Sequence, residues 1–168
     1  MIALINYGLG NIQAFVNVYQ RQHIPVMVAN TAEDIKSATK LILPGVGHFD
    51  HAMQLFNQSG MRETVEHRVL SEKTPILGIC VGMQMLARRS DEGVEAGLGW
   101  IDGEVKALKT ILPDDSALPL PHMGWNDIAP NLVSPIFKGF DAQDSRFYFL
   151  HSYFFECADA SQNCIAQA

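Results

Sequence analysis

Through its first ninety residues the chain alternates short apolar runs with segments of helical periodicity, a pattern few folds can satisfy. Ile2-Ala3-Leu4-Ile5 reads as a buried strand. Residues 11–22 follow as a helix, with Ile12, Phe15, Val16 and Tyr19 at helical spacing. His23-Ile24-Pro25 breaks it, and Val26-Met27-Val28 is a second strand. Thr31 is placed to cap a short helix, with Asp34 three residues on. Leu41-Ile42-Leu43 reads as a third strand stopped by Pro44 and Gly45. Residues 48–56 and 61–70 are helical in pattern, separated by Ser59-Gly60. Pro75-Ile76-Leu77-Gly78-Ile79 is a fourth strand, and residues 81–89 form the next helix. Continuously apolar strands joined by helices predict an α/β fold, a doubly wound and mostly parallel sheet with both faces covered.

The second half is richer in β signals. Residues 103–108 read as a strand, residues 113–121 as a proline-rich loop, and Arg146-Phe147-Tyr148-Phe149-Leu150 as an aromatic strand. Phe154-Phe155-Glu156-Cys157 is another, and Cys164-Ile165-Ala166-Gln167-Ala168 looks like the start of one more. No repeat or linker divides residues 1–168, which are expected to form one domain lacking its C-terminal end, since the last strand is unfinished.

Composition narrows the partners. With 48% apolar and 18% charged residues, a sizeable core is expected. Twelve basic against eighteen acidic residues leave a net charge of −6, and no Lys/Arg cluster offsets it. Neither a nucleic acid nor a membrane is therefore an expected partner. The N-terminal apolar run lacks a basic leader, so no signal peptide is expected. Cys80, Cys157 and Cys164 are too few and too unevenly spaced for a disulfide framework, which points to a reducing, cytoplasmic setting.

The sharpest local feature is Gly78-Ile79-Cys80-Val81-Gly82, a G-x-C-x-G pattern at a strand-to-helix junction. In a nucleophile elbow a tight turn lifts the reactive side chain above the sheet, and flanking glycines avoid collision with neighbouring backbone. A thiolate there sits beside a helix N-terminus, and the Val81 N–H is placed to stabilise an oxyanion. The same residues also suit a small cysteine buried between strand and helix. Pro44-Gly45-Val46-Gly47, directly after a strand, offers a second backbone loop at the same sheet edge. His151, in Tyr148-Phe149-Leu150-His151-Ser152-Tyr153, suits a base, a ligand-positioning group or a structural strand-end histidine.

Other patterns point away from cofactors. Asn6-Tyr7-Gly8-Leu9-Gly10-Asn11 resembles the start of a dinucleotide fingerprint, but position 13 is Gln and no acidic residue closes the next strand at Val28 or Ala29. His48 and His51, with Asp50 between them, lack a third ligand at a recognisable spacing and read as a solvated polar face. Cys157 and Cys164 read as structural. No metal and no cofactor is expected.

Taken together, these motifs resemble those of the class I glutamine amidotransferases, which have a flavodoxin-like sheet. The resemblance covers essentially the whole chain. It rests on the Asn6 to Asn11 motif, Pro44-Gly45-Val46-Gly47, Gly78-Ile79-Cys80-Val81-Gly82-Met83-Gln84, Pro121-His122-Met123-Gly124-Trp125-Asn126 and the His151-Ser152-Tyr153 segment. It implies a glutaminase in which Cys80 attacks the side-chain amide of L-glutamine. Val81, with Val46 and Gly47, would form the oxyanion hole. Gly45, Gln84, His151, Ser152 and Tyr153 would hold the substrate. The branch with these motifs passes ammonia to a (βα)₈-barrel cyclase subunit in histidine biosynthesis, or to a similar barrel in surface-polysaccharide sugar synthesis. Asn11, Trp125 and Tyr148 match its partner-facing positions. The family's triad ends in His-Pro-Glu, which residues 1–168 do not contain. The expectation is that the sequence stops short of that motif. A chain truly ending at Ala168 would instead suit an inactive scaffold or a cysteine redox sensor.

Overall fold

A computed structural model describes residues 1–113, 116, 119–130, 134–139, 145–159 and 166–167. Chain contacts divide it into two compact units, Met1–Ile101 and Asp102–Ala168.

In the first unit, β1 (Ile2–Ile5), β2 (Val26–Ala29), β3 (Lys40–Gly45) and β4 (Ile76–Cys80) form one sheet in the order β2-β1-β3-β4. All three pairings are parallel, with Leu4 opposite both Val28 and Ile42. The connections carry α1 (Ile12–Arg21), α2 (Ala32–Lys36), α3 (Phe49–Gln58) and α4 (Arg62–Glu66). The strand order reverses after β2, so right-handed crossovers place α1 on one face and the other three helices opposite. This is the doubly wound α/β arrangement expected from the apolar runs. The core joins Ala3, Ile5, Leu41 and Leu43 from the sheet to Ile35, Phe49, Met53, Phe56, Met61 and Val65 from the helices. Each large apolar side chain fully buried there contributes about 1.5–3 kcal/mol.

Local signals set the helix starts. Asn11 accepts from the Ala14 N–H to open α1. Thr31 and Asp34 form a complete capping box for α2. The Thr31 hydroxyl, and then the Asn30 and Thr31 N–H groups, hold the Asp34 carboxyl below its ordinary range. α4 runs into a π-helical turn over His67–Ser71.

Two boundaries differ from the sequence expectation. β3 runs through Pro44 and Gly45, which pair with Ile79 and Cys80. A proline interrupts a ladder only where its missing N–H was needed. The β1 pairing ends at Ile42, and the Pro44 carbonyl faces a side chain, the Tyr7 hydroxyl, at 2.7 Å. The missing donor on that side therefore breaks no strand pairing. The helix expected over residues 81–89 is a single turn, α5 (Val81–Gln84). Its continuation fails because a later segment takes the carbonyls. Leu98, Ile101, Gly99 and Gly97 donate to Met85, Leu86, Ala87 and Arg88, all within 3.0 Å.

The second unit is built from antiparallel pairs. β5 (Gly103–Ala107) pairs with β9 (Tyr153–Cys157), β6 (His122–Asp127) with β8 (Arg146–His151), and β7 (Ala129–Pro130) with β10 (Ala166–Gln167). Cys164, Ile165 and Ala168 of the expected last strand lie outside the described residues. Among those described, no helix is long and apolar enough to cross a membrane.

Candidate active site

Cys80 ends β4 and precedes α5 with φ 55° and ψ −122°. That left-handed backbone is costly for any residue with a Cβ, about 1–3 kcal/mol, and persists only where the surroundings enforce it. Three glycines do the enforcing through close backbone approach. A Cβ on Gly82 would lie 2.0 Å from the Leu43 carbonyl oxygen. One on Gly78 would lie 2.6 Å from the Met83 Cα, and one on Gly45 2.3 Å from the Gly82 nitrogen. The ends of β3 and β4 are thus pressed against α5 with no room for side chains. Cys80 itself is exposed rather than sealed in the core.

This corner brings Gly45, Val46, Gly47, Cys80, Val81 and Gln84 onto one unit. The first N–H groups of any helix lack intrahelical acceptors. α5 is one turn long, so its pull on a thiolate comes from those local N–H groups rather than from a long macrodipole. Across from it, Val46 is 54% exposed, and Gly47 has φ 85° with nothing within 4 Å of where a Cβ would be. Loop 45–47 is therefore packed at Gly45 and open at Gly47.

Behind this corner stands a brace that no sequence motif marks. Tyr7 is buried, donates its hydroxyl hydrogen to the Pro44 carbonyl, and packs edge-on against Phe56 at 5.5 Å. Burial, and then the neighbouring Cys80, raise its pKa above the ordinary value of 10.0, so it remains a donor. Gly10 (φ 96°) lies against the ring of Pro44, where a Cβ would come within 2.9 Å. The glycine motif that resembled a dinucleotide loop thus supports the end of β3. Its last residue, Asn11, is exposed beyond its cap bond.

Gln84 is buried, and its Oε1 has no hydrogen-bond partner among the described residues. An unpaired buried acceptor costs about 1–3 kcal/mol. Asp50, expected on a solvated face, is half-buried and accepts from the Val94 N–H at 3.0 Å and the Glu95 N–H at 2.9 Å. The reason is local: Gly93 leaves the space that a Cβ would fill 1.9 Å from the Asp50 carboxylate. His48 is exposed and caps α3, its Nδ1 accepting from the Asp50 N–H.

On the second unit, His151 ends β8 opposite His122. Its Nδ1 lies 2.9 Å from the Tyr153 carbonyl, and its Nε2 lies 3.0 Å from His122 Nδ1. His122 Nε2 in turn lies 3.1 Å from the Asn126 amide nitrogen. A carbonyl can only accept, so the neutral chain has one polarity: Asn126 donates to His122, His122 to His151, and His151 to Tyr153. Ser152 turns the chain into β9, its carbonyl accepting from the Leu108 N–H at 2.8 Å. The other face of this pair carries Trp125 on Tyr148, ring centroids 5.6 Å apart, with Met123 and Leu150 beside them. All four are more than half exposed.

Comparison with known proteins fits this geometry. The family of the CobB/CobQ-like glutamine amidotransferase domain matches residues 3–112. A Bdellovibrio bacteriovorus protein named imidazole glycerol phosphate synthase subunit HisH is 60% identical over 157 residues, spanning 94% of this chain and 76% of that one. The HisH subunit of Leptospira interrogans is 42% identical over 95% of this chain and 77% of its own. HisH 2 of Pseudomonas aeruginosa is 45% identical over 92% of this chain and 74% of its own. A crystal structure of a glutamine amidotransferase superposes with TM-score 0.69 at 16% identity, over 99% of this chain and 79% of that one, which shows the shared fold. The chain belongs to the glutamine amidotransferase family and, within it, to the group of imidazole glycerol phosphate synthase HisH subunits.

Proposed function

We propose that this chain is the glutaminase subunit of a synthase of histidine biosynthesis, with Cys80 as its nucleophile. The observation that carries the reading is the left-handed backbone of an exposed Cys80 between β4 and α5. Strained backbone of this kind clusters at active sites, where it aims a reactive side chain. The Cys80 thiolate attacks the side-chain amide carbon of glutamine, and the carbonyl oxygen takes up the negative charge. The Val81 N–H and an N–H of loop 45–47, at Val46 or Gly47, receive that oxyanion. The tetrahedral intermediate collapses, the leaving nitrogen is protonated, and ammonia departs. Water then hydrolyses the γ-glutamyl thioester, releasing glutamate and the thiolate. On the first unit, Gly45 and Gln84 hold the amino-acid end of the substrate. The Gln84 Oε1, without a partner among the described residues, supports that role, because such a buried acceptor is suited to a ligand's N–H groups.

The ammonia passes to a (βα)₈-barrel cyclase in the cytoplasm. The exposed Trp125–Tyr148 pair of the second unit is a surface for that partner. Exposed aromatics of this kind anchor interfaces. The test is ammonia release from glutamine, measured for the protein alone and with its barrel partner carrying acceptor. Activity is expected to be low alone, strongly stimulated in the complex, and absent in Cys80→Ala. Persistence of activity in Cys80→Ala refutes the nucleophile assignment.

A further inference from the structure

Loop 45–47 is fixed at its first residue by the approach of Gly45 to Gly82. The chain that follows the loop, at the start of α3, is held by contacts made by residues that the reaction does not use. Asp50, in the first turn of α3, accepts from the Val94 and Glu95 N–H groups. In return, Glu92 Oε2 accepts from the Phe49 N–H at 2.9 Å, at the start of the same helix. Gln54, one turn on, donates to Glu95 Oε1 at 3.1 Å. Segment 92–95 and the start of α3 therefore cap one another. The same stretch of chain is bound onto the residues after Cys80, since Gly97 and Leu98 donate to Arg88 and Met85. The path from the nucleophile to the start of α3 thus runs through backbone hydrogen bonds within 85–101 and side-chain hydrogen bonds from 92–95 onto α3.

We infer that Asp50 is a positioning residue for the reaction: its carboxylate ties segment 93–95 to the start of α3 and so fixes loop 45–47 against Cys80. The inference rests on the reading that this loop supplies an oxyanion donor. Gly93 is its complement, because a Cβ there would lie 1.9 Å from Asp50 Oδ1. Charge suits the role as well. The Glu95 and Val94 N–H groups and the His48 ring hold the Asp50 carboxyl below its ordinary value, so the clamp is anionic at neutral pH.

The pairing makes a double-mutant cycle decisive. Four proteins are compared in complex with the partner: wild type, Asp50→Ala, Gly93→Ala and the double variant. Gly93→Ala forces the carboxylate out while Asp50 is present, and the three nearest atoms it would strike, all of the Asp50 carboxylate, are gone once Asp50 is Ala. A misplacement of about 1 Å costs on the order of 10²-fold in rate. Gly93→Ala is therefore expected to lower kcat by about ten-fold or more with KM little changed. Asp50→Ala lowers kcat by less, and adding Gly93→Ala to it costs nothing further. Thermal unfolding of the same four proteins reads the clamp without reference to activity, and should show the same non-additivity. Additive losses in both readouts overturn the clamp. Non-additive melting with unchanged kcat shows a clamp that does not position the loop, and also overturns the inference. The nucleophile reading is tested separately by Cys80→Ala, whose retained activity would refute that reading without altering the melting cycle.

Discussion

Replacing Cys80 by glycine and by alanine separates the two things the elbow does. Both variants lose the sulfur. Only alanine keeps the Cβ that makes φ 55° and ψ −122° unfavourable. At ordinary sites glycine is the less stable of the two by about 0.5–1 kcal/mol, because its unfolded chain is freer. Here the folded-state strain of about 1–3 kcal/mol opposes that difference. The net expectation is that Cys80→Gly is more stable than Cys80→Ala by about 1 kcal/mol. For a chain of this size that is about 2–4 °C in Tm. Thermal or urea unfolding of the two purified variants measures it directly, with neither releasing ammonia from glutamine. An alanine variant more stable than the glycine variant would show that position 80 is not held in the left-handed region, and the elbow would fail with it.

Gly47→Ala keeps the space around the loop but strains its φ of 85°, so kcat should fall by about ten-fold or more while glutamine binding changes little; steady-state kinetics with the partner present checks the split. Trp125→Ala should weaken association with the barrel by at least about 1 kcal/mol in a binding titration, since Trp125 is 63% exposed in this chain. The clamp predicts an acid limit to stability. Asp50 has its carboxyl depressed below the unfolded value of 3.8, so its contribution is fully present above that pH and is lost as pH falls through the folded-state value. In acid melts Asp50→Ala should therefore lose less stability than wild type.

Much of the first unit was legible because its signals are local. The apolar runs at Ile2, Val26, Leu41 and Ile76 each became a strand, since a parallel sheet buries both faces and tolerates few polar residues. Asn11 and Thr31 marked helix starts through their own side chains. Glycine spacing located the elbow, because Gly78 answers to backbone only four and five residues on, at Gly82 and Met83, although Gly82 itself answers to the distant Leu43. What was illegible depended on partners distant in the chain. The short α5 is set by carbonyls given to residues 97–101, and Asp50 by amides more than forty residues on. Tyr7 sits in a motif that resembles a nucleotide loop, and only the placement of β3, which brings Pro44 to its hydroxyl, gives it its structural role. β6 escaped notice because Gly124 and Asn126 dilute its alternation, although its pairing with the aromatic β8 is continuous from His122 to Asp127.

Covalent capture of the sulfur tests the central claim most directly. The protein, in complex with its partner, is incubated with a diazoketone analogue of glutamine and digested for mass spectrometry. One equivalent of label on the Cys80 peptide is expected, with glutamine protecting it and Cys157 and Cys164 unmodified. An active complex that carries its label on either of the other cysteines, or on none, would contradict the account.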